Sequence, residues 1–256
     1  MKVLVVAHVF YPQFWPELAA CICNITEPKD VVVTYVDESS VIEARHNFPG
    51  ARFIRCENRG YDIWPFVHAL QSVDLGSYDA VVKLHTKRDI VDGIRYHFNH
   101  ATFNGSAWRN FLLAFVKTPE AWRRTRALLL KRGVGMVADR HVVMRRRDVR
   151  IERTQQSFDA AAEFLGLDPK SVRRLGQYVA GTMFAAKPAA LRPLLEKPIA
   201  AEMFEPPAGH QTETFAHVME RALGLSVSAA GLKIAAFNGS LGLRRAWYRL
   251  RKLIRI

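Results

Sequence analysis

The sequence predicts an α/β fold, a sheet flanked by helices, on three observations. Short β-branched or apolar runs alternate with segments of helical spacing along the chain. The 256 residues are 49% hydrophobic and 11% aromatic, which is enough to bury a large core and excludes a disordered chain. No apolar run approaches the roughly 18–20 residues that a membrane-spanning helix needs.

Taken in order, Val3–His8 is an apolar run suited to a buried strand, Val31–Val36 is β-branched, and Arg52–Cys56 alternates. Pro65–Val73 reads as a helix with proline near its start. Ala80–His85 is a strand that ends in polar residues. Trp108–Val116 and Glu120–Arg132 have helical spacing, and Gly133 stops the second. Gly135–Ala138 is a short strand, and Gln156–Leu165 is a helix closed by Gly166, with Asp168 placed to cap the next turn. Tyr178–Ala186 reads as one strand in which Gly181 marks a bulge or a close backbone approach. Pro188–Leu195 and Gln211–Leu223 are helices, and Ser226–Ala236 returns to strand. Residues 89–107 and 198–210, rich in His, Asn, Pro and Gly, read as loops.

The opening MKVLVVAHVFYPQFWPEL puts aromatics, prolines and a Glu where a cleavable signal carries small residues, so it is read as a first strand. That reading makes the expected location cytoplasmic. Cys21, Cys23 and Cys56 cannot pair completely; the lone C-x-C lacks the second ligand pair of a zinc site and reads as small apolar residues.

The formal net charge is +13, but it is concentrated. Residues 123–153 carry a net +8 and residues 241–256 a net +6, so the rest is close to neutral. A nucleic-acid binder would spread positive charge over its main face and interleave it with aromatic residues, so none is expected as a partner.

In open α/β sheets, ligands bind where the carboxyl ends of strands open into loops. Three such ends are polar here. The first strand runs into His8-Val9-Phe10-Tyr11-Pro12. The strand at 52–56 is followed by Glu57-Asn58-Arg59-Gly60-Tyr61-Asp62-Ile63-Trp64-Pro65. The strand at 80–84 is followed by His85-Thr86-Lys87-Arg88-Asp89. Each alone is compatible with an ordinary turn or a solvated strand end; three in one fold point to a polar ligand.

These segments resemble the rhamnan synthesis F family of bacterial polysaccharide proteins. The resemblance is sharpest at Asn58–Phe66, against an N-x-G-x-D-I-x-P-F pattern, and at Lys83-Leu84-His85-Thr86-Lys87, against K-L-H-T-K. It continues through Ala180-Gly181-Thr182-Met183-Phe184 and Ala216–Arg221 and covers about residues 1–235. Where the family often has Arg before the aspartate, this chain has Tyr61, a ring able to stack on a base or a sugar. Where an Asp-Gly pair is expected before the last motif, it has Thr212-Glu213-Thr214.

The resemblance implies a GT-A-like, Rossmann-type mixed sheet over residues 1–237 and a glycosyltransferase that moves a deoxyhexose, rhamnose, to a surface polysaccharide or O-antigen precursor. It implies a nucleotide-sugar donor, with dTDP-rhamnose as the candidate, and a glycan or lipid-linked glycan acceptor. The alternative is a non-catalytic scaffold or acceptor-binding partner in a polysaccharide assembly complex. The substrate-binding candidates are His8, Asn58, Gly60, Asp62, His85, Thr86, Lys87, Gly181 and Thr182. Asp62 can bind the nucleoside or cap the following helix, and the two roles are compatible.

GT-A enzymes usually hold Mg²⁺ or Mn²⁺ with an Asp-x-Asp at the strand end that here reads His85-Thr86-Lys87. The sequence therefore leans towards transfer without a metal, in which Lys or His neutralises the diphosphate, or towards one divalent cation on His85 and Asp89. A carboxylate or imidazole must take the acceptor's proton. Glu213 and His217 are the catalytic candidates, and Glu205 and Glu220 lie in the same region. Glu213, His217 and Glu220 fall at i, i+4 and i+7, one helical face.

The tail, residues 238–256, ends LRRAWYRLRKLIRI. At helical spacing Leu243, Trp247, Leu250 and Ile254 share one side and six basic residues the other, the pattern of a helix lying on an anionic membrane surface. A helix packed on its own domain would show the same stripe. The first reading makes the protein peripheral on the inner face of the cell membrane.

Overall fold

The computed structural model of the chain describes residues 1–90, 96–98, 101–149, 151–206 and 214–238. Among the described residues the strands are β1 (Val3–Val9), β2 (Lys29–Tyr35), β3 (Arg52–Arg55), β4 (Ala80–His85), β5 (Tyr96–Phe98), β6 (Ala101–Phe103), β7 (Val134–Asp139), β8 (Val143–Arg145), β9 (Gln177–Val179), β10 (Phe184–Ala186) and β11 (Lys233–Phe237). The helices are α1 (Trp15–Cys23), α2 (Ile42–Asn47), α3 (Ile63–Gln71), α4 (Ala107–Leu113), α5 (Pro119–Leu129), α6 (Glu152–Leu165), α7 (Pro169–Leu175), α8 (Pro188–Leu195) and α9 (Phe215–Ala229).

Seven of these strands form one sheet in the order β11-β7-β10-β4-β1-β2-β3. Every pairing is parallel except those of β10, which runs antiparallel between β4 and β7. This is the α/β sheet flanked by helices that the alternation predicts, and it is mixed, as the family resemblance implies. β5 pairs with β6 and β8 with β9 as separate ribbons. Strands β1, β4 and β7 are buried along their whole length, as their near-continuous apolar runs require of strands covered on both faces.

Local chemistry explains the helix boundaries. The Asp168 carboxylate accepts from the Lys170 and Ser171 backbone N–H groups and caps α7, as its position predicts. Gly166 ends α6 in the left-handed conformation, with φ +69°. α3 begins two residues earlier than the proline suggests, directly after Asp62.

Two strand expectations are corrected. Residues 178–186 are not one strand: β9 and β10 belong to different sheets, separated by a turn in which Gly181 and Thr182 have φ +75° and +52°. Residues 226–229 are the end of α9 rather than the start of a strand, and β11 begins only at Lys233. There the small residues Ser226, Ser228 and Ala229 fit a packed helix as well as a strand, and the Ser226 hydroxyl donates to the Ala190 carbonyl of α8. The expected loop at 89–107 contains the β5–β6 ribbon. The expected amphipathic helix at 238–256 lies outside the described residues from 239 onward. No helix among the described residues is long and apolar enough to cross a membrane.

Candidate functional site

The parallel strands end on one edge, and the antiparallel β10 begins there, so chemistry gathers at that edge. Alternation along β4 puts Lys83 and His85 on the same face. The register sets Lys83 opposite Phe184 and His85 opposite His8. Asp62 arrives from the turn before α3, and Thr182 from the turn before β10.

These side chains meet. The Lys83 ammonium donates to Asp62 Oδ2 and, at 2.8 Å, to Thr182 Oγ1, while the Thr182 hydroxyl donates to the same Asp62 oxygen. Lys83 also lies 5.3 Å above the Phe66 ring. His85 Nδ1 stands 3.5 Å from Asp62 Oδ2, and neither ring nitrogen has a hydrogen-bond partner. Lys83 is 1% exposed and the His85 side chain 3%, whereas the Asp62 side chain keeps 18% of its surface open.

A buried lysine costs several kcal/mol unless it is paired, and Asp62 supplies the pairing. Burial opposes ionisation of Asp62, but the adjacent positive charge and the Lys83 and Thr182 hydrogen bonds outweigh it and hold the carboxyl well below its usual range. Burial pushes the Lys83 ammonium below its ordinary value, and Asp62 counters it. Burial also lowers His85 well below 6.5 and brings His8 down to about 4, so both imidazoles are neutral at pH 7. His8 Nδ1 is 3.1 Å from the Thr34 hydroxyl.

The turn that carries Thr182 is held from the other side. Glu220 on α9 accepts from the Gly181 backbone N–H at 2.7 Å and pairs with Arg221, whose guanidinium lies 4.5 Å over the Tyr178 ring. Gly181 needs its missing side chain, because a Cβ there would sit 2.8 Å from the Leu112 side chain and 2.9 Å from that of Trp108. Thr182 has no such licence. A β-branched residue at φ +52° is strained, and the hydrogen bonds to Lys83 and Asp62 hold it there.

The remaining candidates fall around this cluster. The Thr86 hydroxyl accepts from the Phe10 and Tyr11 backbone N–H groups, each at 2.9 Å, and so ties the loops after β1 and β4 together. Lys87 is partly exposed, and its carbonyl accepts from Arg109. Asn58 is exposed, whereas Gly60 is buried, with φ +61° and the Phe204 ring where a Cβ would stand. His217, half-buried near the start of α9, has Nδ1 2.8 Å from the Thr214 hydroxyl, and burial lowers its pKa. Glu205 caps α9 by accepting from the Phe215 backbone N–H. Glu213 lies outside the described residues.

Asp62 occupies the capping position of α3, yet its side chain makes no capping hydrogen bond. Its carboxylate is committed to the cluster instead. A divalent cation does not fit the described residues at this edge. Asp62 Oδ2 is taken by Lys83 and Thr182, Asp89 is paired with Arg109, and no three His, Cys, Asp or Glu side chains converge.

Lys83 was visible in the sequence and absent from the candidate residues. Its signal was a charge inside AVVKLH, a run otherwise fit for a fully buried strand. Glu220 was legible only as one of several acids near a helix start, since nothing local links it to Gly181, 39 positions away.

The model of the rhamnan synthesis protein F family matches residues 1–232. The uncharacterized protein WxcX of Xanthomonas campestris pv. campestris is 28% identical over 246 residues, in strain B100 and in strain ATCC 33913 alike. The match covers 94% of this chain and 33% of each relative, so the chain spans about a third of the length of these curated relatives. Among solved structures, a mycobacterial protein aligns over 93% of this chain and 65% of its own, with 15% identity and a TM-score of 0.44. A cytidylyltransferase from Leptospira borgpetersenii serovar Hardjo-bovis aligns over 56% of each chain, with 12% identity and a TM-score of 0.32.

Proposed function

The chain belongs to the rhamnan synthesis protein F family, and from that premise we propose that it is a GT-A-like glycosyltransferase unit of surface-polysaccharide synthesis. It moves a deoxyhexose, rhamnose, from a nucleotide sugar such as dTDP-rhamnose to a growing glycan. The observation that carries this reading is the buried Lys83–Asp62–Thr182 cluster at the edge where α/β sheets bind ligands, with a strained residue in it.

Within this reading Asp62 stays ionised at every working pH, and its open surface accepts hydroxyl groups of the donor. Lys83 and Thr182 fix its position. Lys87 and Arg88, at the rim, offset charge on the diphosphate as the bond between the sugar's C1 and the phosphate oxygen breaks. The new bond forms from an acceptor hydroxyl to C1, and that hydroxyl's proton passes to the neutral imidazole of His217. Glu213 is the alternative acceptor of that proton. The basic tail is proposed to hold the unit at an anionic membrane, where lipid-linked glycans reside.

The test is incubation of the full chain with dTDP-rhamnose and a rhamnose-containing oligosaccharide. Release of dTDP together with a product one deoxyhexose heavier is expected, and Asp62→Asn should weaken donor binding more than tenfold. Donor binding without product would favour the scaffold reading, and absence of sugar-nucleotide binding would overturn the transferase reading.

A further inference from the structure

Among the described residues, three other than glycine have positive φ: Tyr61, Thr182 and Asn238. All three lie at the carboxyl edge of the sheet. Thr182 is held by the hydrogen bonds described above. Tyr61, at φ +53°, follows Gly60 and precedes Asp62, and it is 50% exposed.

That combination is unusual in two ways. A bulky side chain in the left-handed region is strained, and a large aromatic ring left half in solvent gains little from burial to offset the strain. Glycine would fit the backbone better, as it does one residue earlier. A residue that costs stability in the free protein is a candidate for work done on a ligand.

The surroundings give the ligand its chemistry. The Tyr61 ring meets the His217 ring edge-on, with centroids 6.3 Å apart. The lining of a small pocket beside it includes Asn58, Arg59, Glu205 and Thr214 as its polar members, with Pro206 and Ala216 as apolar ones. Arg59 is already engaged with the Glu57 carboxylate and the Phe204 carbonyl. What remains is a half-exposed aromatic ring with the Asn58 amide beside it, while Thr214, bonded to His217, and the Glu205 carboxylate, bonded to the Phe215 N–H, keep oxygen lone pairs that sugar hydroxyls can use. A phosphate would be repelled by that carboxylate. A pyranose suits the arrangement: its C–H face packs on the ring while its hydroxyl groups bond at the rim.

We infer that Tyr61 is the stacking platform for a sugar ring of the glycan acceptor, set so that the acceptor lies between His217 and Asp62. This rests on the transferase reading given above. The half-exposed Tyr61 ring stands beside His217 and one residue before Asp62, the two groups between which the acceptor has to lie.

The test uses the full chain with two ligands applied separately, a rhamnose-containing oligosaccharide and dTDP-rhamnose, with affinities read by calorimetry and ligand-observed NMR. Tyr61→Ala should weaken oligosaccharide binding at least tenfold and leave dTDP-rhamnose binding unchanged, whereas Tyr61→Trp should retain both. Tyr61→Gly should raise the melting temperature while losing the oligosaccharide. The inference is overturned if Tyr61→Ala binds the oligosaccharide as wild type does, if wild type does not bind it, or if Tyr61→Ala loses the sugar nucleotide instead. It is equally overturned if Tyr61→Gly lowers the melting temperature, which would make the ring a packing element. Wild type that binds the sugar nucleotide but not the oligosaccharide removes the platform and leaves the donor site standing. Wild type that binds neither removes the transferase reading itself.

Discussion

The two ends of the central strands are equally buried and differ in kind. Val3, Leu4 and Val5 of β1 and Ala80, Val81 and Val82 of β4 are packed hydrocarbon with no accessible surface. At the other end the same strands bury His8, Lys83 and His85, with Thr34 on the neighbouring β2 and, beyond β10, Asp139 on β7, all at 5% exposure or less. Apolar burial at the amino end stabilises the sheet by roughly 25 cal/mol per Å². At the carboxyl end, burial of charge and imidazole costs free energy that hydrogen bonds only partly return. Packing alone does not require such groups, and the contrast is what the proposed site rests on.

The largest effect that tests this contrast is at Asp62. Asp62→Ala leaves the Lys83 ammonium buried without its counter-ion, and unfolding free energy should fall by about 3–5 kcal/mol. Removing both charges in Asp62→Ala/Lys83→Met should recover a large part of that loss. If the double variant in urea unfolding is as damaged as the two single losses added, the two groups are not coupled and the cluster is misassigned.

A matched substitution at the amino end should cost less and show no rescue. Val81→Ala removes two methyl-sized groups from a packed core, and a loss of about 2 kcal/mol follows from transfer and cavity terms together. A loss at Val81 equal to that at Asp62 would mean that the two ends are energetically alike.

The carboxyl end should also be the pH-sensitive one. His8 in the folded protein titrates at about 4, against 6.5 in an unfolded chain, and His85 is lowered in the same direction. The unfolded state therefore binds more protons below pH 6.5. The stability that the neutral rings retain is fully present above that value and is lost as pH falls towards 4. Each ring contributes a slope of up to about 1.4 kcal/mol per pH unit in that window. Urea midpoints measured at pH 7 and pH 5 should separate accordingly, and His8→Gln should flatten the difference. An unchanged midpoint would mean that these rings are not buried in neutral form.

The same contrast explains what the sequence reveals. Strands β1, β4 and helix α8 are readable almost to the residue because continuous apolar runs and a leading proline are local signals. Helices α1 and α2 went unread: one opens among aromatics and prolines, and the other is only six residues long. The β9–β10 division was missed because Tyr178–Ala186 is rich in β-compatible and apolar residues, and Gly181 also fits a bulge within one strand. Its break depends on distant partners: Glu220 and Leu112 meet Gly181, and Lys83 and Asp62 bond to Thr182. At the site, Asp62 and His85 were identifiable as polar residues after strand ends, and Thr182 through the family resemblance at Ala180–Phe184. That Asp62 serves Lys83 rather than the helix was not, since the Lys83 ammonium is brought to it by sheet pairing across 21 positions.

The smallest effect is the most discriminating, because it compares one substitution at two buried threonines. Thr34 sits in β2 with an ordinary extended backbone, its hydroxyl against His8 and its methyl group in the core. Thr34→Ser keeps the hydroxyl and removes the methyl, which should cost about 1 kcal/mol from lost burial and β preference. Thr182→Ser makes the same chemical change at φ +52°, where the β-branch itself is the source of strain. Relief of that strain, of the order of 1 kcal/mol, should offset the lost burial and leave stability within about 0.5 kcal/mol of wild type. The hydroxyl that bonds to Asp62 and Lys83 survives, so donor binding should survive as well. Equal losses at the two threonines in thermal or urea unfolding would show that the Thr182 backbone is relaxed, and the carboxyl edge would then lose one of its marks as a working site.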